Sequence, residues 1–160
     1  MSGTTLCIID MQSNFEASLN KNVLAGVLHE IQLAKRRHDP IIVVEYDRAG
    51  CVETQQCVLD AVLKSGCEFD ICFKYDDDGS HQVKAACRKN RFSQKKFRVC
   101  GVNRSFCVFD TACGLVNNSR KHSIVEVAWN ATGDRWWSES AKKIYERAIE
   151  HSDNKLRIRK

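Results

Sequence analysis

The stretch Phe97–Leu115, FRVCGVNRSFCVFDTACGL, carries the residue best suited to covalent chemistry. Phe97–Val102 reads as a buried strand and Gly101–Ser105 as a tight turn, with a helix expected to open near Cys107. A cysteine at a helix start meets unpaired backbone N–H groups and the positive end of the helix dipole. That setting lowers a thiol pKa and yields thiolate, the nucleophilic form. Taken alone, such a cysteine is better explained as a core residue of a βα unit, because free cysteine is among the most buried residue types. Two more side chains change the comparison. Asp10 follows the apolar run Leu6–Ile9, and Lys74 follows Phe69–Phe73. A carboxylate can take a thiol proton, and an ammonium can hold a thiolate. The competing explanation is a set of unrelated loop charges.

These three side chains need elements to bring them together. Leu6–Ile9 has the continuous apolar character of a central parallel strand. Asn20 is placed to cap a helix from Lys21 to Arg37, whose Leu24, Val27, Leu28, Ile31 and Ala34 follow helical spacing. Pro40 stops it, and Ile41–Val44 is a second strand. A helix from Glu53 or Thr54 to Ser65 closes at Gly66. Phe69–Phe73 is a third strand, and Ser80 is able to cap a helix through Asn90. Ser123–Val127 is a fifth strand. Asp134 can cap a last helix with Trp137, Ala141, Ile144, Tyr145 and Ala148 on one face. Strands alternating with helices give an α/β, Rossmann-like sandwich with a mostly parallel sheet. In such sheets ligands bind beyond the carboxyl ends of the strands, where Asp10, Lys74 and Cys107 all fall. A nucleophile presented by strand, turn and helix follows the elbow logic of other hydrolases, although GxSxG is absent.

The chain has 160 residues and a net charge of +5, in keeping with one domain over residues 1–160 with a basic tail at about 152–160. Nine cysteines with no CxxC pair, no zinc-finger spacing and no signal peptide fit reduced thiols in the cytoplasm. No apolar run is long enough to span a membrane. The basic runs Lys35–Arg37, Lys95–Arg98 and Lys155–Lys160 are short, separated and not interleaved with aromatics. Solvated helix ends and a basic tail explain them better than nucleic-acid binding does.

LCIIDMQSNF, Leu6–Phe15, resembles the opening of the isochorismatase-like cysteine hydrolases, with their Asp-Met-Gln-x-Asp-Phe pattern. GVNRSFCV, Gly101–Val108, resembles that superfamily's Gly-Val-x-x-x-x-Cys-Val signature, and the lysine of FKYDD falls between them in the family's order. The resemblance covers nearly the whole chain. It implies a three-layer α/β/α sandwich, with Asp10 as general acid/base, Lys74 as the cation that orders Asp10 and the thiolate, and Cys107 as nucleophile. It also implies a cis peptide bond between Val102 and Asn103, and an oxyanion hole from the N–H groups of Asn103 and Cys107. The implied activity is cleavage of a small amide or ureido compound through a thioester acyl-enzyme, in a homo-oligomer without a cofactor. A non-catalytic ligand- or protein-binding module on the same fold is the alternative.

The chain departs from the family's pattern at several points. Asn14 stands where the opening motif has its second acid. Nicotinamidases carry Asp-x-His after the second strand for a metal; here the stretch is Asp47-Arg48-Ala49, so no metal is expected. The segment between Lys74 and Cys107 is shorter than is usual in the family. Phe15 is a candidate to stack on a planar substrate, or a core aromatic. Trp129, expected beyond the fifth strand, would line the pocket or an oligomer contact. Trp136 and Trp137 are expected to pack the last helix. His29, His38, His81, His122 and His151 are read as surface residues, and Cys7, Cys100 and Cys113 as core.

Overall fold

All six residues of the first strand, β1 (Thr4–Ile9), are buried. Its side chains alternate between two apolar layers. Cys7 and Ile9 meet Val83, Cys87, Val108, Leu115 and Tyr145 on one face. Leu6 and Ile8 meet Val23, Val27, Val58 and Val62 on the other. Burial on both faces is why the sequence here is a continuous apolar run rather than an alternating one. The computed structural model describes residues 3–117, 123–135 and 139–160. After β1 come α1 (Lys21–Arg37), β2 (Ile41–Tyr46), α2 (Gln56–Ser65), β3 (Phe69–Lys74), α3 (Ser80–Asn90) and β4 (Lys96–Val102). A π-helical turn (Arg104–Val108) then leads into α4 (Phe109–Asn117), followed by β5 (Ile124–Gly133), α5 (Glu139–His151) and β6 (Leu156–Arg159).

The sheet has the order β3-β2-β1-β4-β5-β6, and every neighbouring pair is parallel. Helices α1 and α2 cover one face and α3, α4 and α5 the other. The expected three-layer α/β/α sandwich is therefore the observed one. The chain builds outward from β1 to β3, then returns to build from β4 to β6 on the opposite side. Its direction of growth reverses between β1 and β4, the position where open α/β sheets leave a crevice.

Local chemistry sets most of the boundaries. The Asn20 side chain accepts from the N–H groups of Asn22 and Val23 and starts α1 where its sequence predicts. Gly66 takes the left-handed conformation that ends α2. Other expectations need correction. Ser80 is the first residue of α3 rather than its cap: Gly79 holds the cap position without a side-chain bond, and Asp78 Oδ1 accepts from the Ser80 N–H at 2.8 Å. Asp134 and Arg135 are not helical, and the described part of the last helix is Glu139–His151. The fifth strand runs on to Gly133, with its register against β4 broken after Val99, so Trp129 lies within β5 rather than beyond it. The basic tail is in part a strand: Leu156–Arg159 pairs with Val125–Ala128 as β6, with Leu156 buried and Arg157 and Arg159 exposed. Trp136, Trp137 and His122 lie outside the described residues.

Candidate active site

Asp10 ends β1 in a left-handed conformation, φ +50°, which aspartate tolerates better than most residues. Its amide still donates to Val44 O at 2.9 Å, so the bend begins while the chain is anchored to β2. Its side chain is fully buried and lies 3.0 Å from Lys74 Nζ, itself fully buried. The pair is an ion contact without hydrogen-bond alignment at the carboxylate. Lys74 ends β3, which is not a neighbour of β1: β2 lies between them. The lysine crosses over the end of β2, its ammonium 4.4 Å from the centre of the Tyr46 ring. It also donates to the carbonyls of Asp76, at 3.0 Å, and Asp77, at 3.4 Å. A buried ammonium held by one carboxylate, two carbonyls and an aromatic face has little freedom to move.

Cys107 enters from the other side of the switch point. Gly101 in β4 has φ +110°, and a Cβ there would run into the backbone of Ile9, so only glycine lets β4 approach β1 this closely. The peptide bond between Val102 and Asn103 is cis. The N–H groups of Phe106 and Val108 both donate to Asn103 O, at 3.2 and 3.0 Å, and close the turn. Cys107 sits inside this π-helical turn, two residues before the start of α4. Side chains from later in the chain hold the turn from outside. Asp134 accepts from the Ser105 N–H at 2.9 Å and from its hydroxyl at 2.6 Å. Tyr145 donates its hydroxyl to Arg104 O at 2.8 Å. The Arg104 guanidinium lies 4.0 Å from the Trp129 ring and donates to Thr132 and to Trp129 O.

Asp10, Lys74 and Cys107 thus share one buried pocket of charge at the switch point. Burial pushes the Asp10 carboxyl above its usual range, against the lowering effect first of the Lys74 charge and then of the neighbouring Cys107. Burial alone would lower Lys74, but the charge of Asp10 outweighs it and holds the ammonium above the ordinary lysine value. Burial and then the charge of Asp10 push the Cys107 thiol up to about 12, with Lys74 pulling the other way. The expectation of a thiolate at rest is therefore corrected. One turn's worth of helix dipole acts only near the helix end, and here desolvation and a neighbouring carboxylate exceed it. Burial and the Asp10 charge thus both favour the protonated thiol, and the raised carboxyl of Asp10 lies nearby.

Sequence reasoning missed two members of this cluster. Asp77 Oδ1 lies 3.5 Å from Cys107 Sγ, a second carboxylate on the thiol from the exposed rim. Tyr46 forms the floor under Lys74 and sits two residues beyond where β2 was expected to stop, giving no signal by spacing. Phe15 packs edge-on against Tyr46 at 6.1 Å between ring centres, so it joins the site at one remove. Trp129 packs edge-on against Tyr145 and over the Arg104 guanidinium, and with Arg104, Thr132 and Asp134 it lines a cavity of its own. A cavity of about 580 Å³ lies in front of that turn, lined by Asn103, Ser105, Phe106, Asp134 and Ile144 among others. Asn14 donates to Cys51 Sγ at 3.4 Å and plays no part in the buried cluster. Among the described residues no three His, Cys, Asp or Glu side chains are grouped to hold a metal ion. With Arg48 and Ala49 beside Asp47, the donor set of a nicotinamidase-type metal site is not met.

No family model matches the sequence. No curated protein matches it significantly either. Solved structures do match the fold. The nicotinamidase SaPncA from Staphylococcus aureus superposes with TM-score 0.73 at 16% identity, over 99% of this chain and 100% of that one. N-carbamoylsarcosine amidase from Thermoplasma acidophilum gives TM-score 0.72 at 15% identity, over 98% of this chain and 95% of that one. The MAR1 ribonuclease from Caenorhabditis elegans gives TM-score 0.72 at 17% identity, over 93% of this chain and 73% of that one. The chain has the isochorismatase-like fold. Proteins of such different names share it, so activity has to be argued from the site.

Proposed function

We propose that this chain is a cysteine hydrolase that cleaves a C–N bond of a small amide or ureido compound through a thioester. The observation that carries the reading is the meeting of Asp10, Lys74 and Cys107 at the switch point, with Lys74 Nζ 3.0 Å from Asp10. Cys107 Sγ attacks the carbonyl carbon as its proton passes to Asp10. The oxyanion rests on the N–H groups of Asn103 and Cys107. When the C–N bond breaks, Asp10 gives the proton to the departing nitrogen. Asp10 then takes a proton from water, which attacks the thioester; the C–S bond breaks and the proton returns to Cys107. Lys74 keeps its charge throughout and offsets the negative charge that moves between Asp10 and sulfur. A thiol at about 12 beside a raised carboxyl suits this order of events, because the nucleophile forms as the proton is transferred rather than beforehand.

The same reading takes the chain as one cytoplasmic hydrolase domain acting on a small molecule in a homo-oligomer, with no metal or cofactor. A panel of small amides and ureido compounds, followed by mass detection of acylated Cys107 and of released amine or ammonia, tests it. An adduct on the peptide containing Cys107 that disappears in Cys107→Ala, together with turnover, is expected. Ligand binding with no adduct and no turnover across the panel would favour a non-catalytic module instead.

A further inference from the structure

Strand β3 is one edge of the sheet, and its outward side is unlike a protected edge. The N–H of Ile41 donates to Glu68 O and that of Asp47 to Lys74 O. With the unbroken register of β2 on β3, this directs the backbone groups of Asp70, Cys72 and Lys74 toward β2 and those of Phe69, Ile71 and Phe73 outward. The Ile71 N–H does not point into the sheet; it donates to its neighbour Asp70 Oδ1 at 3.1 Å. Soluble proteins blunt such edges with lysine, proline or a bulge. Residues 69–73, FDICF, contain neither lysine nor proline, and the register shows no bulge. Instead the edge is apolar: Phe69 is 38% exposed, Phe73 51% and Tyr75, just past the strand, 58%.

The outward residues read Phe-x-Ile-x-Phe, which is the same in both directions. That symmetry selects the occupant. If a second copy pairs antiparallel with its two-fold axis at Ile71, then Phe69 faces Phe73 of the second copy, Ile71 faces Ile71, and Phe73 faces Phe69. All three are hydrogen-bonded positions, each pair exchanging two N–H···O bonds. Phenylalanine opposite phenylalanine is a favourable cross-strand pair. A partner of another sequence would meet the backbone equally well but would have no reason to match this spacing. The charged residue within 69–73 is already paired: Asp70 lies 3.1 Å from Lys89 Nζ and accepts from Asn90. It can release the Ile71 N–H to the second copy without being left unpaired.

We propose that β3 is a homodimerisation edge, joining two copies through an isologous antiparallel β3–β3 ladder into one continuous sheet. The pairing gives the homo-oligomer proposed above one interface, and it does not depend on the chemistry of Cys107. Light scattering on the wild-type chain, with hydrogen exchange resolved by residue, tests it against Phe73→Lys and Phe69→Lys, both exposed positions where lysine does not disturb the core. The wild type is expected to be a dimer with protected amides at Phe69, Ile71 and Phe73. Each lysine variant is expected to be a monomer with an unchanged circular dichroism spectrum, losing protection at those three amides while Asp70, Cys72 and Lys74 keep theirs. A wild type that is monomeric at micromolar concentration overturns the proposal. So does an assembly that survives both substitutions, or one in which the three outward amides exchange freely.

Discussion

At the scale of single residues, the cluster makes Asp10 and Lys74 act on Cys107 in opposite directions. The charge of Asp10 raises the thiol pKa and the charge of Lys74 lowers it. Asp10→Asn is therefore expected to speed alkylation of Cys107 at neutral pH while turnover falls by about 10²–10⁴-fold, the usual worth of acid–base catalysis. Lys74→Met should slow alkylation and also nearly abolish turnover. It should cost stability as well, by about 3–5 kcal/mol, because it leaves a buried carboxylate without its cation. Alkylation rate against pH, followed on the Cys107 peptide, decides the matter; coincident curves for wild type and both variants would remove Asp10 and Lys74 from the mechanism. A second expectation concerns pH. Asp10 works as an ionised base, and burial holds its pKa above the usual carboxylate range. The acid limb of kcat/KM should lie above about pH 4, where an unperturbed aspartate titrates. A limb at or below that value would mean that another group is the base. Activity should also survive a chelator, since Asp47-Arg48-Ala49 offers no metal-binding histidine; activity lost to EDTA and restored by a divalent ion would contradict this.

At the scale of elements, the nucleophile turn is held from outside by parts of the chain far along the sequence. Asp134 follows β5, and its two bonds to Ser105 fix the backbone two residues before Cys107. Asp134→Ala should lower kcat by about 10–100-fold through misplacement of the nucleophile. The stability cost should be modest, about 1–2 kcal/mol for a pair of lost hydrogen bonds. Asp134→Asn, which keeps one acceptor oxygen, should recover part of the rate. Equal kcat in wild type and Asp134→Ala would assign Asp134 to stability alone. This support was hidden in the sequence because Asp134 looks like a helix cap, and a helix does follow it. Elements with strong local signals were legible: the buried runs of β1 and β2, the Asn20 cap and the Gly66 stop. What depended on distant partners was not. Lys74 reaches Asp10 only because Tyr46 extends β2 beneath it. The thiol pKa follows from burial by the finished fold, which outweighs the local helix end. β6 did carry a signal, the alternation Leu-Arg-Ile-Arg with Leu156 buried and Arg157 exposed. It was masked by the positive charge of its neighbours, which reads as a solvated tail.

At the scale of the whole molecule, one charged network ties that last strand to the rest. Arg98 of β4 is paired with Glu30 of α1 on one side and with Glu126 of β5, at 3.3 Å, on the other. Glu126 also meets Lys96 of β4 at 2.9 Å and Arg159 of β6 at 3.9 Å. Burial by itself would raise the Glu126 carboxyl, but the hydrogen bond and charge of Lys96, then the charges of Arg98 and Arg159, outweigh it and hold the group below the usual glutamate range. A carboxyl depressed in the folded state binds its proton more weakly there than in the unfolded chain. Its contribution to stability is therefore complete above about pH 4.3, the unfolded glutamate value, and is lost as pH falls through the lower folded value. Glu126→Gln keeps the shape of the side chain and removes the charge from three cations at once. It should destabilise the protein at neutral pH by about 1.5–3 kcal/mol, the range for hydrogen bonds to charged groups. The difference from wild type should shrink as the medium is acidified below about pH 4, where the wild-type carboxyl itself takes up a proton. Urea denaturation of both proteins across that range measures the gap directly. A gap that stays constant down to the most acidic folded sample would mean that Glu126 contributes through packing, and that β6 is held by Leu156 and its ladder to β5 without help from the charge on Arg159.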